Sequence, residues 1–168
     1  NIAIGNYALD ALTSGDNNTA IGTGAQTTNT TGSNNVGVGN DTLELLTTGN
    51  NNTSVGIGSL KRNTTADGNV AIGYVALYEN TTAGNNVAIG QQAMKENTTG
   101  ANNVAVGALA LDANTTAGDN TAIGYAALGG NTTGHSNVAV GHSALLSNTT
   151  GLRNTAIGKD AYNGADTE

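Results

Sequence analysis

The chain contains no cysteine, proline, phenylalanine or tryptophan. Without cysteine there is no disulfide framework, no thiolate nucleophile and no cysteine metal site, and the redox compartment stays open. Aromatic residues amount to five tyrosines, which excludes an ordinary aromatic-rich globular core. Charged residues make up 10% of the chain, too few for a disordered chain held open by its charge. The formal charge of -7 and the scarcity of Lys and Arg argue against nucleic acid or an anionic lipid surface as partner. No stretch is apolar for long enough to span a bilayer, so no membrane insertion is expected in this segment, and no signal peptide is recognisable. The two histidines, His135 and His142, occupy unrelated places in the pattern described next. No acid pair, nucleophile–base arrangement or phosphate loop interrupts that pattern. The expectation is a protein without enzymatic activity, catalytic residues, cofactor or bound metal.

What is present is one phrase, repeated. Asn1, Asn18, Asn35, Asn52, Asn69, Asn86, Asn103, Asn120, Asn137 and Asn154 open ten units of 17 residues, the tenth incomplete. Each unit reads N-[TVI]-A-[IV]-G-x-x-A-L-x-x-N-T-T-[AG]-x-[ND], with substitutions but no insertion. A fixed short period without slips is the signature of stacked coils. The whole of residues 1–168 is expected to be a single repeat domain, an all-β solenoid of ten coils. The first coil is as regular as the rest and starts without Met, so further coils or another domain are expected to precede it.

Positions 1–5 of the unit, such as Asn86 to Gly90, predict a short strand. Alternation puts positions 2 and 4, always Thr, Val or Ile, on one face, which is expected to be the buried one. The other face carries Asn, a small residue and Gly. The strip Ala71, Ala88, Ala105 and Ala122, with Gly73, Gly90, Gly107 and Gly124, is then small enough for another backbone to approach closely. It is the expected face of self-association. Positions 6–11, as in "QQAMKE" and "ALALDA", allow a second strand, a tight turn or one helical turn. Coil spacing of about 4.8 Å favours a strand or turn over a helix about 10 Å wide. The Asn-Thr-Thr-Gly segment makes the corner. There Asn63, Asn80, Asn97, Asn114, Asn131 and Asn148 are expected to stack into a ladder of amides.

The same corner permits sharper readings. Asn-Thr-Thr is a glycosylation acceptor pattern, but glycans on successive coils would collide. Calcium sites need acidic turns at every repeat, whereas Asp16, Asp67 and Asp119 recur irregularly. Rows of Thr can match an ice lattice, with only one Thr of each neighbouring pair able to lie on one face. Among the variable positions, Tyr74, Tyr78, Tyr125 and His142 are candidate surface contacts, able to stack on sugars.

The repeated "NVAIGQQA", "NTAIGYAA" and "NVAVGHSA" resemble the head repeats of trimeric autotransporter adhesins of the YadA type, and are similar to repeats of phage tail fibres and other bacterial trimeric fibre proteins. The resemblance covers all ten units; the unit here is longer than the usual head repeat by its Asn-Thr-Thr corner. It implies a left-handed β-roll in a homotrimer. In that case the chain is an extracellular, cell-surface or virion fibre segment, part of a longer fibre, that presents or contributes to binding of a host-surface glycan or protein receptor. The alternative from the residues themselves is a monomeric ice- or surface-binding β-solenoid using Thr and Asn arrays; a filament that grows end to end is a third.

Overall fold

The structure is a computed structural model that describes residues 1–164; the last four residues of the incomplete tenth unit lie outside the described residues. Each unit contributes one strand: β1 (Ile2–Ile4), β2 (Thr19–Ile21), β3 (Val36–Val38), β4 (Thr53–Val55), β5 (Val70–Ile72), β6 (Val87–Ile89), β7 (Val104–Val106), β8 (Thr121–Ile123), β9 (Val138–Val140) and β10 (Thr155–Ile157). They form a parallel sheet in chain order, every strand paired with the next in register at an offset of one unit. The chain is therefore an all-β solenoid of ten coils.

The strands stop before the fifth residue of the unit for a steric reason. Gly90 has φ of 136°, and a Cβ there would lie 2.5 Å from the carbonyl oxygen of Gly107 in the next coil. Only glycine fits both the dihedral and the approach.

The following residues form a turn, and no helix is present among the described residues. Positive φ recurs at the seventh and ninth positions, as in Val75 (47°) and Leu77 (53°). This alternation sends successive N–H groups in opposite axial directions. Val75 N–H donates to Ile57 O of the preceding coil at 3.0 Å, and Leu77 N–H donates to Ala93 O of the following coil at 2.9 Å. A helical turn would consume those donors within the coil and leave the neighbouring carbonyls unpaired. Left-handed Leu is unfavourable by about 1–2 kcal/mol; here its side chain is fully buried and its N–H is paired.

The interior reverses the expected strand orientation. Ala71, Ala88, Ala105 and Ala122 are fully buried inside the coil, packed with Ala76, Ala93, Ala110 and Ala127 and with Leu77, Met94, Leu111 and Leu128. The neighbouring Ile72, Ile89 and Ile123 point outward and are 38%, 37% and 41% exposed. The reason is width. A coil whose interior already holds a Leu and two Asn side chains has space for a single methyl on the strand's inner side. The branched residues take the outer side, where nothing limits their volume.

Candidate functional site

The inner alanines have no surface left for a second backbone. The strip proposed from sequence for self-association, Ala71, Ala88, Ala105 and Ala122, is thus corrected to core, and the accessible strand surface is the other one. It consists of two rows: Ile2, Thr19, Val36, Thr53, Val70, Val87, Val104, Thr121, Val138 and Thr155 beside Ile4, Ile21, Val38, Val55, Ile72, Ile89, Val106, Ile123, Val140 and Ile157. Every member is β-branched and none is charged. Side chains two residues apart on one strand sit about 6.6–6.8 Å apart, and those of neighbouring coils about 4.8 Å apart.

Behind this surface run two columns of buried asparagine. In the first, each Asn at the corner donates to the Asn one coil before: Asn80 to Asn63 Oδ1 at 3.4 Å, Asn97 to Asn80 at 3.1 Å, Asn114 to Asn97 at 2.8 Å, Asn131 to Asn114 at 3.2 Å and Asn148 to Asn131 at 3.0 Å. The second runs through the Asn that opens each unit, where the repeat pattern predicts a strand start and no ladder. Asn103 donates both its backbone N–H (2.9 Å) and its side-chain amide (3.2 Å) to Asn86 Oδ1, and the pattern recurs at Asn120 and Asn137. Invariance of this Asn in all ten units was the available signal.

The two columns share acceptors. The carbonyl of Gly100 takes Asn86 Nδ2 at 2.9 Å and Asn97 Nδ2 at 3.0 Å; that of Ala83 takes Asn69 and Asn80, both at 2.9 Å. A buried amide is costly unless its donors and acceptor are met, and here they are. Because Asn29, Asn63, Asn80, Asn97, Asn114, Asn131 and Asn148 are fully buried, the acceptor nitrogen of each Asn-Thr-Thr triplet is closed to glycosylation in the folded chain. Between Asn18 and Asn148 the Asn columns are equally unavailable to any outside surface.

The paired threonines divide their roles. The first hydroxyl of each pair donates along the rod, as from Thr98 Oγ1 to Thr115 O at 2.9 Å. The second threonine, including Thr82, Thr99 and Thr116, is exposed and forms a single outer row.

Tyr74, Tyr125 and His142 follow the glycine of their units and lie in one axial row along the edge of the strand surface, whereas Tyr78 lies on the turn. Tyr125 and His142, in adjacent coils, stack with centroids 5.1 Å apart and planes inclined by 24°. Tyr78 is half-buried beneath the Arg62 guanidinium, 5.8 Å from its ring centroid. His142 Nδ1 lies 3.0 Å from Ser143 Oγ and 3.9 Å from Asp160 Oδ1. Both contacts fall on the same ring nitrogen, so these three residues do not form a Ser–His–Asp proton relay, which uses both nitrogens.

Most of the paired charges sit on the turn side. Lys61 bridges Asp41 at 3.1 Å and Glu44 at 2.8 Å, and Arg62 meets Glu79 at 3.0 Å. The hydrogen bond to Glu44 is the main cause that raises Lys61 above the usual lysine value. Asp112 is different: burial pushes its carboxyl above the usual range, partly offset by Lys95, and Oδ1 is buried without a hydrogen-bond partner. Among the described residues no group of three or more His, Asp or Glu is arranged to hold a metal ion, and no helix is long and apolar enough to cross a membrane. No family model matches the chain, and no curated protein or solved structure is significantly similar to it.

Proposed function

We propose that the chain is a non-enzymatic β-solenoid rod that binds an ordered, extended surface, ice in the first instance, through the outward side chains of its strands. The observation that carries this reading is the double row of uncharged Ile, Val and Thr, repeated in register on all ten strands. Both spacings of the grid are of the order of the row spacings in hexagonal ice. Methyl groups with interspersed hydroxyls at Thr19, Thr53, Thr121 and Thr155 suit ordered water better than a charged face does. The buried alanines, leucines and asparagine ladders also give one chain a closed interior, which removes the need for a partner to cover the core.

The test is ice-recrystallisation inhibition by the purified chain, with Ile89→Lys on the strand surface and Thr99→Lys on the outer threonine row. The wild type and Thr99→Lys are expected to inhibit and Ile89→Lys to fail. An inactive wild type overturns the reading, and loss confined to Thr99→Lys moves the site to the corner.

A second reading is favoured by the same rows seen as apolar surface, since a contiguous patch of exposed Ile and half-buried Ile and Val marks an interaction site. It is the left-handed homotrimeric fibre segment implied by the YadA-type resemblance, extracellular or on a virion, with Tyr74, Tyr125 and His142 at the margin as glycan or receptor contacts. In that case the strand rows, not the alanines, face the threefold axis. Sedimentation separates the two readings: a particle of the 16.5 kDa chain mass supports the surface binder, and three times that mass supports the fibre.

A further inference from the structure

The core is not continuous along the rod. Leu9, Ala20 and Ala25 form one apolar cluster, and a second begins at Leu43 and runs to Ala156. From Gln26, between them, into the start of the second cluster at Ser59, the repeat pattern is broken at several inward positions. Gln26 stands where other coils bury Leu or Met. Gly37 and Ser54 stand in place of the strand alanine, and Thr42 and Ser59 in place of the turn alanine. Except for Leu46, which replaces the corner asparagine of the third coil, every break adds polarity or removes a methyl.

These substitutions fit one another. Gln26 is fully buried; its Nε2 donates to Thr19 O at 2.9 Å, and its Oε1 accepts from Asn29 Nδ2 at 3.2 Å. The missing Cβ of Gly37 makes the room, since a methyl there would lie 2.8 Å from Thr42 Oγ1 and 3.3 Å from Gln26 Nε2. Ser54 Oγ donates to Ser59 O at 2.8 Å and is in close contact with the Ser59 hydroxyl. Leu46 meanwhile separates Asn29 from Asn63, so the corner ladder is interrupted at the same level.

We infer that the second to fourth coils form a polar insulating layer that divides the rod into two cooperative units, so that the coils on the amino side of Gln26 open without those beyond Leu60. In a stacked-coil protein, cooperativity passes only between nearest neighbours through apolar contact and ladders. Leu43, Leu46 and Leu60 stay buried in the layer, but the contacts that the strand and turn alanines make elsewhere, and that Leu or Met makes in place of Gln26, are replaced by short hydrogen bonds within one coil or to the next, and these transmit little from beyond it. Both the apolar column and the corner ladder are cut at this level; what crosses it is the strand pairing, the ladder of Asn18, Asn35 and Asn52, and the threonine row in which Thr30 donates to Thr47 O and Thr47 to Thr64 O.

Native-state hydrogen exchange on the full chain, read by peptide, tests this. Amides of the first two coils, including Ile2 and Leu9, are expected to exchange at least tenfold faster than those of the fifth to eighth coils, with the change falling between residues 26 and 60. A variant restoring the repeat pattern (Gln26→Leu, Gly37→Ala, Thr42→Ala, Ser54→Ala and Ser59→Ala together) should move that boundary toward the first coil and make the exchange uniform across residues 18–68. Uniform protection in the wild type overturns the inference. So does a boundary that the folded variant leaves in place, because that outcome identifies fraying of the first coils. If the five-fold variant fails to fold, Ser54→Ala with Ser59→Ala alone is expected to shift the boundary in the same direction, and no shift overturns the inference.

Discussion

Ala88 and Ile89 are neighbours on one strand and meet opposite conditions. Ala88 is sealed against Ala71, Ala105 and the Met94 layer, while Ile89 looks outward. Ala88→Arg would bury a charge with no partner and should cost more than about 3 kcal/mol, enough to unfold the neighbouring coils. Ile89→Asp should cost within about 1 kcal/mol, chiefly through lower strand propensity. Urea unfolding of both variants measures the contrast, and equal losses would contradict the orientation of the strand. Asp112 offers a second test at this scale. Burial raises its carboxyl, so the folded chain holds the proton more readily than the unfolded one. Stability linked to this group is therefore greatest when it is protonated and is lost as pH rises through the interval above the ordinary Asp value of 3.8. Asp112→Asn should raise the melting temperature at neutral pH, and the gain should close at strongly acid pH. A gain that is independent of pH would exclude this cause.

At the scale of the element, the corner ladder ties each coil to the next by groups that have no water to fall back on. Removing Asn97 takes away the acceptor of Asn114 Nδ2 and the donor to Asn80 Oδ1. Asn97→Ala should cost about 2–3 kcal/mol, the range for buried groups left unpaired. Lys95→Ala, which removes a partly exposed side chain that is ion-paired with Glu96 and acts on Asp112 only through charge, should change thermal unfolding little. Equal melting points would show that the amides stack without bonding. The period, the strand at each unit head and the asparagine column all follow from spacing, because spacing decides which residues share a row. The inner side of the strand does not follow from alternation, which separates Ala88 from Ile89 without saying which points inward. Hydrophobicity favoured Ile89, and interior volume decided for Ala88. The discriminating features were in the sequence. Position 2 accepts Thr in four units, as an outward position can, whereas the leading Asn never changes. The left-handed Leu77 and Leu111 were not legible, because that conformation is stabilised by coil-to-coil hydrogen bonds that no single repeat contains.

At the scale of the whole molecule, every ladder has the same offset, so the rod should tolerate loss of one complete unit. Deleting residues 103–119 would join Asn102 to Asn120 and set Asn120 on Asn86, Leu128 on Met94 and Asn131 on Asn97, preserving each column. The shortened chain should unfold cooperatively with a melting temperature lowered by a few degrees, because one nearest-neighbour interface is lost among many equivalent ones. Its length by small-angle scattering should fall by about 4.8 Å, the separation of adjacent strands. Deleting residues 103–111 alone removes Leu111 and the strand but keeps Asn114, so the joined coil has a corner without a wall and should open the rod there. If the ice-binding proposal holds, the whole-unit deletion should retain inhibition in slightly reduced measure, since it removes Val104 and Val106 from the surface and leaves the remaining rows in step. Loss of folding in the whole-unit deletion would show that these coils are not interchangeable, and that the apparent period conceals contacts particular to the seventh unit.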